Sequence, residues 1–409
     1  MIPEPVETMA DLEPDAFPFP LHPDEFGTSS RQHRRRREEC PLGEVTLPSG
    51  DHAHLVVAYE DVARVLRDRR FSRNLRYPGA PRMVSEADMS DHPDAIINHD
   101  PPEHGRFRQV IQGAFSPSQE AVWRPVVQRI VDGLLDAIAA AGPPADLVAD
   151  FAAVLPISVM CALMGVPAED HRLFHDWTGV FFATDPAGTE ERLRANREFL
   201  GYVRGFLAER RRKPGEDLVD LLVAACDEED RLSEAELIQL ITALLIGGHE
   251  NTAATLARGV FTLLRFPEQF AALRADPLLI GPAVEEVLRF DVPSEGAFLR
   301  VSTERTALSA GSVEAGRAVQ VSIPGANRDP RHFPDPERFD LRRSPNPHLT
   351  FGLGAHFCPG APLARLELSI ALRGLVDRFP GLRLAIAPED ARYAQGALIH
   401  PLLALPVAW

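Results

Sequence analysis

Phe351-Gly352-Leu353-Gly354-Ala355-His356-Phe357-Cys358-Pro359-Gly360 sets one cysteine among three glycines. Glycine reaches backbone conformations closed to other residues, so the segment can form a tight, non-helical loop against which a flat ligand lies. A helical pattern follows, from Pro362 to about Phe379. The free amides at the start of that helix point back toward the sulfur, which should lower the thiol pKa and favour thiolate. Composition alone does not separate this from a buried cysteine in a glycine turn. The other cysteines are Cys40, Cys161 and Cys226, and no pair has CxxC spacing. A zinc ribbon or redox dithiol is therefore not expected. Cys161 lies in an apolar helical stretch and reads as core. Nothing suggests a disulfide framework, which makes a reducing cytoplasm the default compartment.

Upstream, Ser233-Glu234-Ala235-Glu236 has the spacing of a capping box, with Ser233 as N-cap and Glu236 reaching back to it. Apolar residues then recur at helical spacing to Phe266, where Pro267 stops the helix. Some 30 residues at about 1.5 Å each span roughly 50 Å, enough to cross a whole core. Gly247 and Gly248 sit mid-helix, followed by His249, Glu250, Asn251 and Thr252. Glycines there cost about 1 kcal/mol each relative to alanine. An interruption of this kind makes sense where something must approach the backbone closely.

The remaining chain gives the class. Of 409 residues, 45% are hydrophobic and 25% charged, the balance of a globular protein, and the formal net charge of −16 argues against nucleic acid as a partner. The acidic, proline-rich start resembles neither a signal peptide nor an anchor, and residues 1–20 read as a flexible arm. The longest apolar stretch, Phe151 to Val166, contains Pro156 and falls short of the roughly 20 residues a membrane span needs. Arg34 to Arg37, followed by Glu38 and Glu39, read as the solvated face of a helix. Strand-like segments at Glu44–Leu47 and His54–Val57 flank a turn at Pro48-Ser49-Gly50, and Ala318 to Ile323 is β-like. From Gln119 to about Arg289 the pattern is helical. The expected fold is mainly α with a small β part, in a single domain spanning 1–409.

The spacing F-G-x-G-x-H-x-C-x-G-x-x-L-A-R, from Phe351 to Arg365, resembles the haem-binding signature of the cytochrome P-450 family. The resemblance extends in order over nearly the whole chain. Glu286-Val287-Leu288-Arg289 looks like the family's E-x-x-R motif, completed by an arginine in a P-E-R-F segment, here Arg338. Ala326-Asn327-Arg328-Asp329-Pro330 and Phe333-Pro334-Asp335-Pro336 match that region of bacterial members. Asp100-Pro101-Pro102-Glu103-His104, with Arg106 and Arg108, looks like the start of the family's C helix.

The resemblance implies a soluble haem-thiolate monooxygenase holding haem b, with Cys358 as the iron ligand, Phe351 and Gly352 in the cofactor loop, and His104, Arg108, Arg300 and His356 on the haem propionates. Glu286, Arg289 and Arg338 become a structural ion network, and His348 a structural residue. The long helix resembles the family's I helix, with Gly247 and Gly248 opening the oxygen groove and Glu250 as the acid of an acid–alcohol pair. The alcohol is usually threonine, and this chain has Asn251. One residue is about 100° around a helix, so Thr252 should point elsewhere. An amide can hold a water but cannot pass a proton as a hydroxyl does. Asn251 therefore leaves open an oxidation without oxygen insertion, such as coupling or desaturation; a non-catalytic haem sensor is the reading outside enzymes. Pro359 has no N–H to give the sulfur, which should make it more electron-donating.

By the same resemblance the pocket draws on the loop from Asn74 to Ile96, the Phe174–Phe182 helix, Ala243, Leu244, Val292, Phe298, Leu299, Leu398 and Ile399. These are mostly apolar, implying a medium-sized, hydrophobic organic substrate such as a secondary-metabolite intermediate. No reductase is expected in the chain. Electrons from NAD(P)H would come through a ferredoxin and its reductase, the ferredoxin docking near Arg106, Arg342 and Arg343. A monomer is expected, with no membrane or nucleic-acid partner.

Overall fold

The long helix from the capping box organises the computed structural model, which describes residue 19 and residues 30–409 except 87, 183–187, 295 and 297. The helices in chain order are α1 (Ser30–Glu39), α2 (Tyr59–Arg67), α3 (Glu103–Ile111), α4 (Glu120–Ala141), α5 (Val154–Met164), α6 (His171–Phe181), α7 (Thr189–Arg212), α8 (Leu218–Asp227), α9 (Glu234–Arg265), α10 (Pro267–Ala275), α11 (Ile280–Phe290), α12 (Ile323–Asn327) and α13 (Ala361–Arg378). α9 starts with the expected capping box: Ser233 Oγ accepts from Glu236 N–H at 3.2 Å, and Glu236 Oε2 accepts from Ser233 N–H at 2.8 Å. It runs unbroken through Gly247 and Gly248, so the glycines do not interrupt it. α5, α7, α8, α11 and α13 pack around it. No helix among the described residues is long and apolar enough to cross a membrane.

A five-stranded sheet lies to one side, in the order β1 (Glu44–Thr46), β2 (His52–Val56), β8 (Ala318–Val321), β5 (Arg300–Ser302) and β3 (Phe71–Ser72). Alternation along β2 separates two small cores. Leu55 faces one with Val45 and Val301, while Val56 faces the other with Val62, Val319 and Val321. Two smaller sheets join β4 (Ala145–Asp146), β10 (Pro406–Ala408) and β9 (Arg383–Leu384), and β6 (Thr306–Leu308) with β7 (Gly311–Val313). The N-terminal arm lies outside the described residues except Phe19, which is buried and donates its amide to Thr46. The Arg34–Arg37 run is solvated only in part: Arg34 is exposed on α1, as expected, but two of its neighbours turn inward. Arg36 is fully buried, donating to the Gly43 and Glu44 carbonyls, and Arg37 donates to Gly325, because α1 packs on the α12 end of the sheet.

The loop leading to Cys358 is held by an ion network on α11. Arg289 grips both oxygens of Glu286, at 2.8 and 2.7 Å, and also donates to the carbonyls of Asn327, Pro336 and Arg338. Here the structure corrects the sequence reading. The second cation on Glu286 is Arg343, whose Nε lies 3.2 Å from each carboxylate oxygen. Arg338 contributes only its carbonyl; its guanidinium is 66% exposed and faces Asp340. The P-E-R-F segment wraps so that its backbone, not its arginine, reaches the pair. Next door, Glu285 joins Arg365 of α13 to His348. Burial pushes the Glu285 carboxyl up, but the His348 and Arg365 hydrogen bonds overcome this and hold it down at about 2.

One carboxyl on α13 has no such partner. Glu367 is 2% exposed, its Oε2 accepts no hydrogen bond, and burial alone pushes its pKa well up. A carboxyl raised in the folded state favours the fold while protonated, and that advantage is lost as pH climbs above its unfolded value of about 4.3.

Two measurements check this account. Arg343→Ala is expected to cost roughly 1.5–3 kcal/mol, the worth of hydrogen bonds to a charged group. Arg338→Ala should stay within about 0.5 kcal/mol. Chemical denaturation of the two variants side by side separates them. Glu367→Gln should gain stability relative to the parent as pH rises from about 5 to about 8. Thermal melts that differ by the same amount at both ends would contradict this assignment.

Candidate active site

Cys358 reaches an internal cavity of about 420 Å3 from a loop built on positive-φ glycines. Gly354 has no room for a side chain: a Cβ there would lie 2.8 Å from the Leu66 carbonyl of α2. That close approach fixes the turn through His356, and the Cys358 amide then bonds to Phe351 O at 2.9 Å. Arg365 stacks over the Phe351 ring at 4.5 Å, steadying the loop from α13. The amides of Gly360 and Ala361 reach the sulfur, as do the fields of Arg108 and Arg365. The amides lower the thiol pKa, as expected, but burial is the larger effect and leaves the thiol raised. A metal ion supplies what is missing, since a coordinating thiol is deprotonated outright.

Beside the sulfur, five basic groups line the cavity: Arg73, His104, Arg108, Arg300 and His356. His104 and His356 place their rings 4.2 Å apart, and Arg108 donates to Phe357 O at 2.9 Å. Burial and the neighbouring basic groups push His356 down to about 2 and His104 down to about 4. Burial likewise pushes Arg300 down to about 10, and burial with Arg300 pushes Arg73 down to about 9. His356 Nε2 and Arg300 Nε are buried without a hydrogen-bond partner. Buried cations demand counter-charge. A flat group carrying a metal for the sulfur and two carboxylates for these donors fits, and haem is such a group. Arg73 was not found from the sequence. Its guanidinium is tied to Ile97 O, Asn98 Oδ1 and Leu299 O, and its amide to Asp100, contacts that no local motif announces.

Across the cavity α9 presents Gly247, Gly248, Asn251 and Thr252. Gly247 faces open space, whereas a Cβ on Gly248 would lie 2.6 Å from the Met160 sulfur of α5. The two glycines thus serve different ends, one opening the wall and the other admitting a neighbour. Thr252 does not point elsewhere, as expected from the sequence; it shares the wall with Asn251. The cavity wraps more than 100° of the helix, so the stripe through Gly248 and Thr252 is exposed to it as well as the stripe through Gly247 and Asn251. Glu250 is not on the wall; it lies beside His249, with Oε1 3.4 Å from Nδ1.

Of the expected pocket residues, Ala243, Leu244, Val292 and Phe298 line the cavity. Leu299, Leu398 and Ile399 do not. Leu299, just before β5, packs with Leu398 into a core of the five-stranded sheet. Ile399 is buried in a bridge to Ser294. The wall is also less apolar than expected, with His92, Asn196, Gln239 and Ser294 on it. Two of the three arginines expected at a ferredoxin surface are ion-paired within the chain, Arg106 with Glu236 at the surface and Arg343 with the buried Glu286. Only Arg342 is exposed without an ion pair among the described residues.

Comparison with known proteins fits this geometry. The family model for cytochrome P450 matches residues 45–390. Nocardicin C N-oxygenase of Nocardia uniformis subsp. tsuyamanensis is 48% identical, covering 91% of this chain and 94% of that one. Mycinamicin IV hydroxylase/epoxidase of Micromonospora griseorubida is 40% identical, covering 98% and 100%. Among solved structures, the LnmA cytochrome P450 hydroxylase from the leinamycin biosynthetic pathway of Streptomyces atroolivaceus S-140 superposes with a TM-score of 0.87 at 40% identity, over 96% of this chain and 100% of that one. The chain belongs to the cytochrome P450 family and is a haem-thiolate monooxygenase that uses dioxygen.

Proposed function

We propose that the enzyme hydroxylates or epoxidises a medium-sized organic molecule with a largely apolar body, as a tailoring step in secondary metabolism. The observation that carries this reading is Cys358 on the same cavity as the Gly247–Thr252 wall of α9, with apolar side chains beyond. Relatives named as an N-oxygenase and as a hydroxylase/epoxidase support it. Haem b would be held by Cys358, with Phe351 and Gly352 in its loop and the propionates on His104, Arg108, Arg300 and His356. Arg73 adds a third buried cation to that side. Bound there, haem supplies reductive activation of dioxygen: one oxygen atom enters the substrate and the other leaves as water, with two electrons and two protons consumed.

The chain's own residues manage position and protons. Gly247 leaves room at the wall. The Asn251 carboxamide orients a water, and the Thr252 hydroxyl passes its proton, supplying the hydroxyl that an Asn251-only reading lacks. Glu250 is the acid that replenishes this proton. Electrons come from NAD(P)H through a separate ferredoxin and its reductase, in the cytoplasm, and the chain acts as a single domain and a monomer.

Reduction under carbon monoxide tests the premise: the red-shifted Soret band of a thiolate-ligated haem is expected for the parent and lost in Cys358→Ser. Product mass after turnover should show a gain of one oxygen atom; loss of hydrogen alone would overturn the insertion reading. Thr252→Val should lower product formed per NADPH by about 100-fold, the low side of what positioned proton transfer contributes. Substrate affinity should barely change, as a Soret titration would show. Pro359→Leu tests the sulfur's donor strength: an unchanged reduction potential would remove that effect.

A further inference from the structure

The wall that α9 gives to the cavity continues beyond the reaction point. Gln239, Ala243, Gly247 and Asn251 follow one another at four-residue intervals and all line the cavity. Such residues stand one above another on a helix face. Gln239 precedes Gly247 by eight residues, which at 1.5 Å each puts it about 12 Å along the axis. Two further polar side chains line the same cavity, Asn196 of α7, which packs on α9, and His92 from the loop before α3. Between this end and Gly247 the wall is apolar, with Leu240, Ala243 and Leu244.

These polar groups are uncommitted. Neither carboxamide nor the His92 ring makes a hydrogen bond or ion pair with another described residue. Thr242, by contrast, turns its hydroxyl back to Ile238 O at 2.8 Å. The cations of this cavity are elsewhere engaged. Arg73 spends its guanidinium nitrogens on Ile97, Asn98 and Leu299, and Arg108 and Arg300 belong to the basic group beside Cys358. Among the described residues an acidic substrate end would find no free arginine or lysine here, whereas a neutral donor–acceptor group would find two carboxamides able to do both.

We propose that Gln239, about 12 Å along α9 from the point of oxidation, recognises a neutral hydrogen-bonding group of the substrate, an amide or hydroxyl, together with Asn196 and His92 of the same cavity wall. The substrate class is then an apolar body with one polar, uncharged end. This rests on the haem-thiolate reading of the site, and the test separates the two.

Imidazoles bind haem iron, so 1-alkylimidazoles can carry a tail along the cavity. The probes are a series of increasing tail length, each made with a methyl, a carboxamide or a carboxylate end, titrated into the holoenzyme by the Soret shift. At one length the carboxamide is expected to bind about 10-fold tighter than the methyl or the carboxylate, the worth of one or two net hydrogen bonds. Asn196→Leu and Gln239→Leu should each erode that advantage while leaving methyl-ended probes bound as before. Equal affinity for methyl and carboxamide ends at every length overturns the proposal. So does an advantage that survives both substitutions, or one shared by the carboxylate. If either variant fails to fold, the parent's comparison of the three ends decides. No Soret shift with any probe overturns the haem reading itself, and the recognition site with it.

Discussion

A carboxylate sealed from water must be met by cations and amides, and Glu286 is sealed completely. It is met by the Arg289 fork, by Arg343, by the Asp340 amide and by Asn346. Arg289 comes from α11 itself and the other three from residues 340–346, so satisfying one charge ties α11 to the irregular stretch that leads into the cysteine loop. Asn327 extends the tie, accepting from the Leu349 amide and donating to Thr350, whose hydroxyl bonds back to Leu288 O. The sulfur's position follows from this knot. Neither the helix behind it nor the glycines around it would place Cys358 without a fixed point upstream.

What the sequence made legible was whatever depends on neighbours in the chain. Ser233 and Glu236 announce a helix start because both halves of the cap lie within one turn. Glu286 and Arg289 announce a pair because three residues bring them onto one face. The identity of the second cation was not legible, since Arg338 and Arg343 are both near in sequence and only the wrapping of the loop decides between them. Arg73 was hidden for the same reason: its partners lie at positions 97, 98 and 299, joined only by the fold. The misplacement of Thr252 had another cause. A helix angle separates the directions of Asn251 and Thr252, whereas the cavity covers an arc wide enough to meet both.

The two sides of the cavity divide their labour by chemistry. One is basic and almost saturated with buried charge, which suits a permanent, anionic occupant. The other is a helix face of small and neutral polar side chains, which suits a guest that enters and leaves. Met160 against Gly248 brings α5 close to the long helix, so the floor under the reaction point is rigid where the opposite wall is merely lined. Specificity and cofactor retention can thus change independently, since they draw on different residues.

The three cavity arginines have a consequence for the chain before it is an enzyme. Without its prosthetic group the fold carries Arg73, Arg108 and Arg300 together, desolvated and without a carboxylate ion pair among the described residues. Burial lowers the pKa of all three, and Arg300 adds to it at Arg73, so a carboxylate-bearing group bound there supplies counter-charge and stabilises the fold it binds. Cofactor loading and folding are thereby linked: a ligand that binds only the folded chain makes opening rarer.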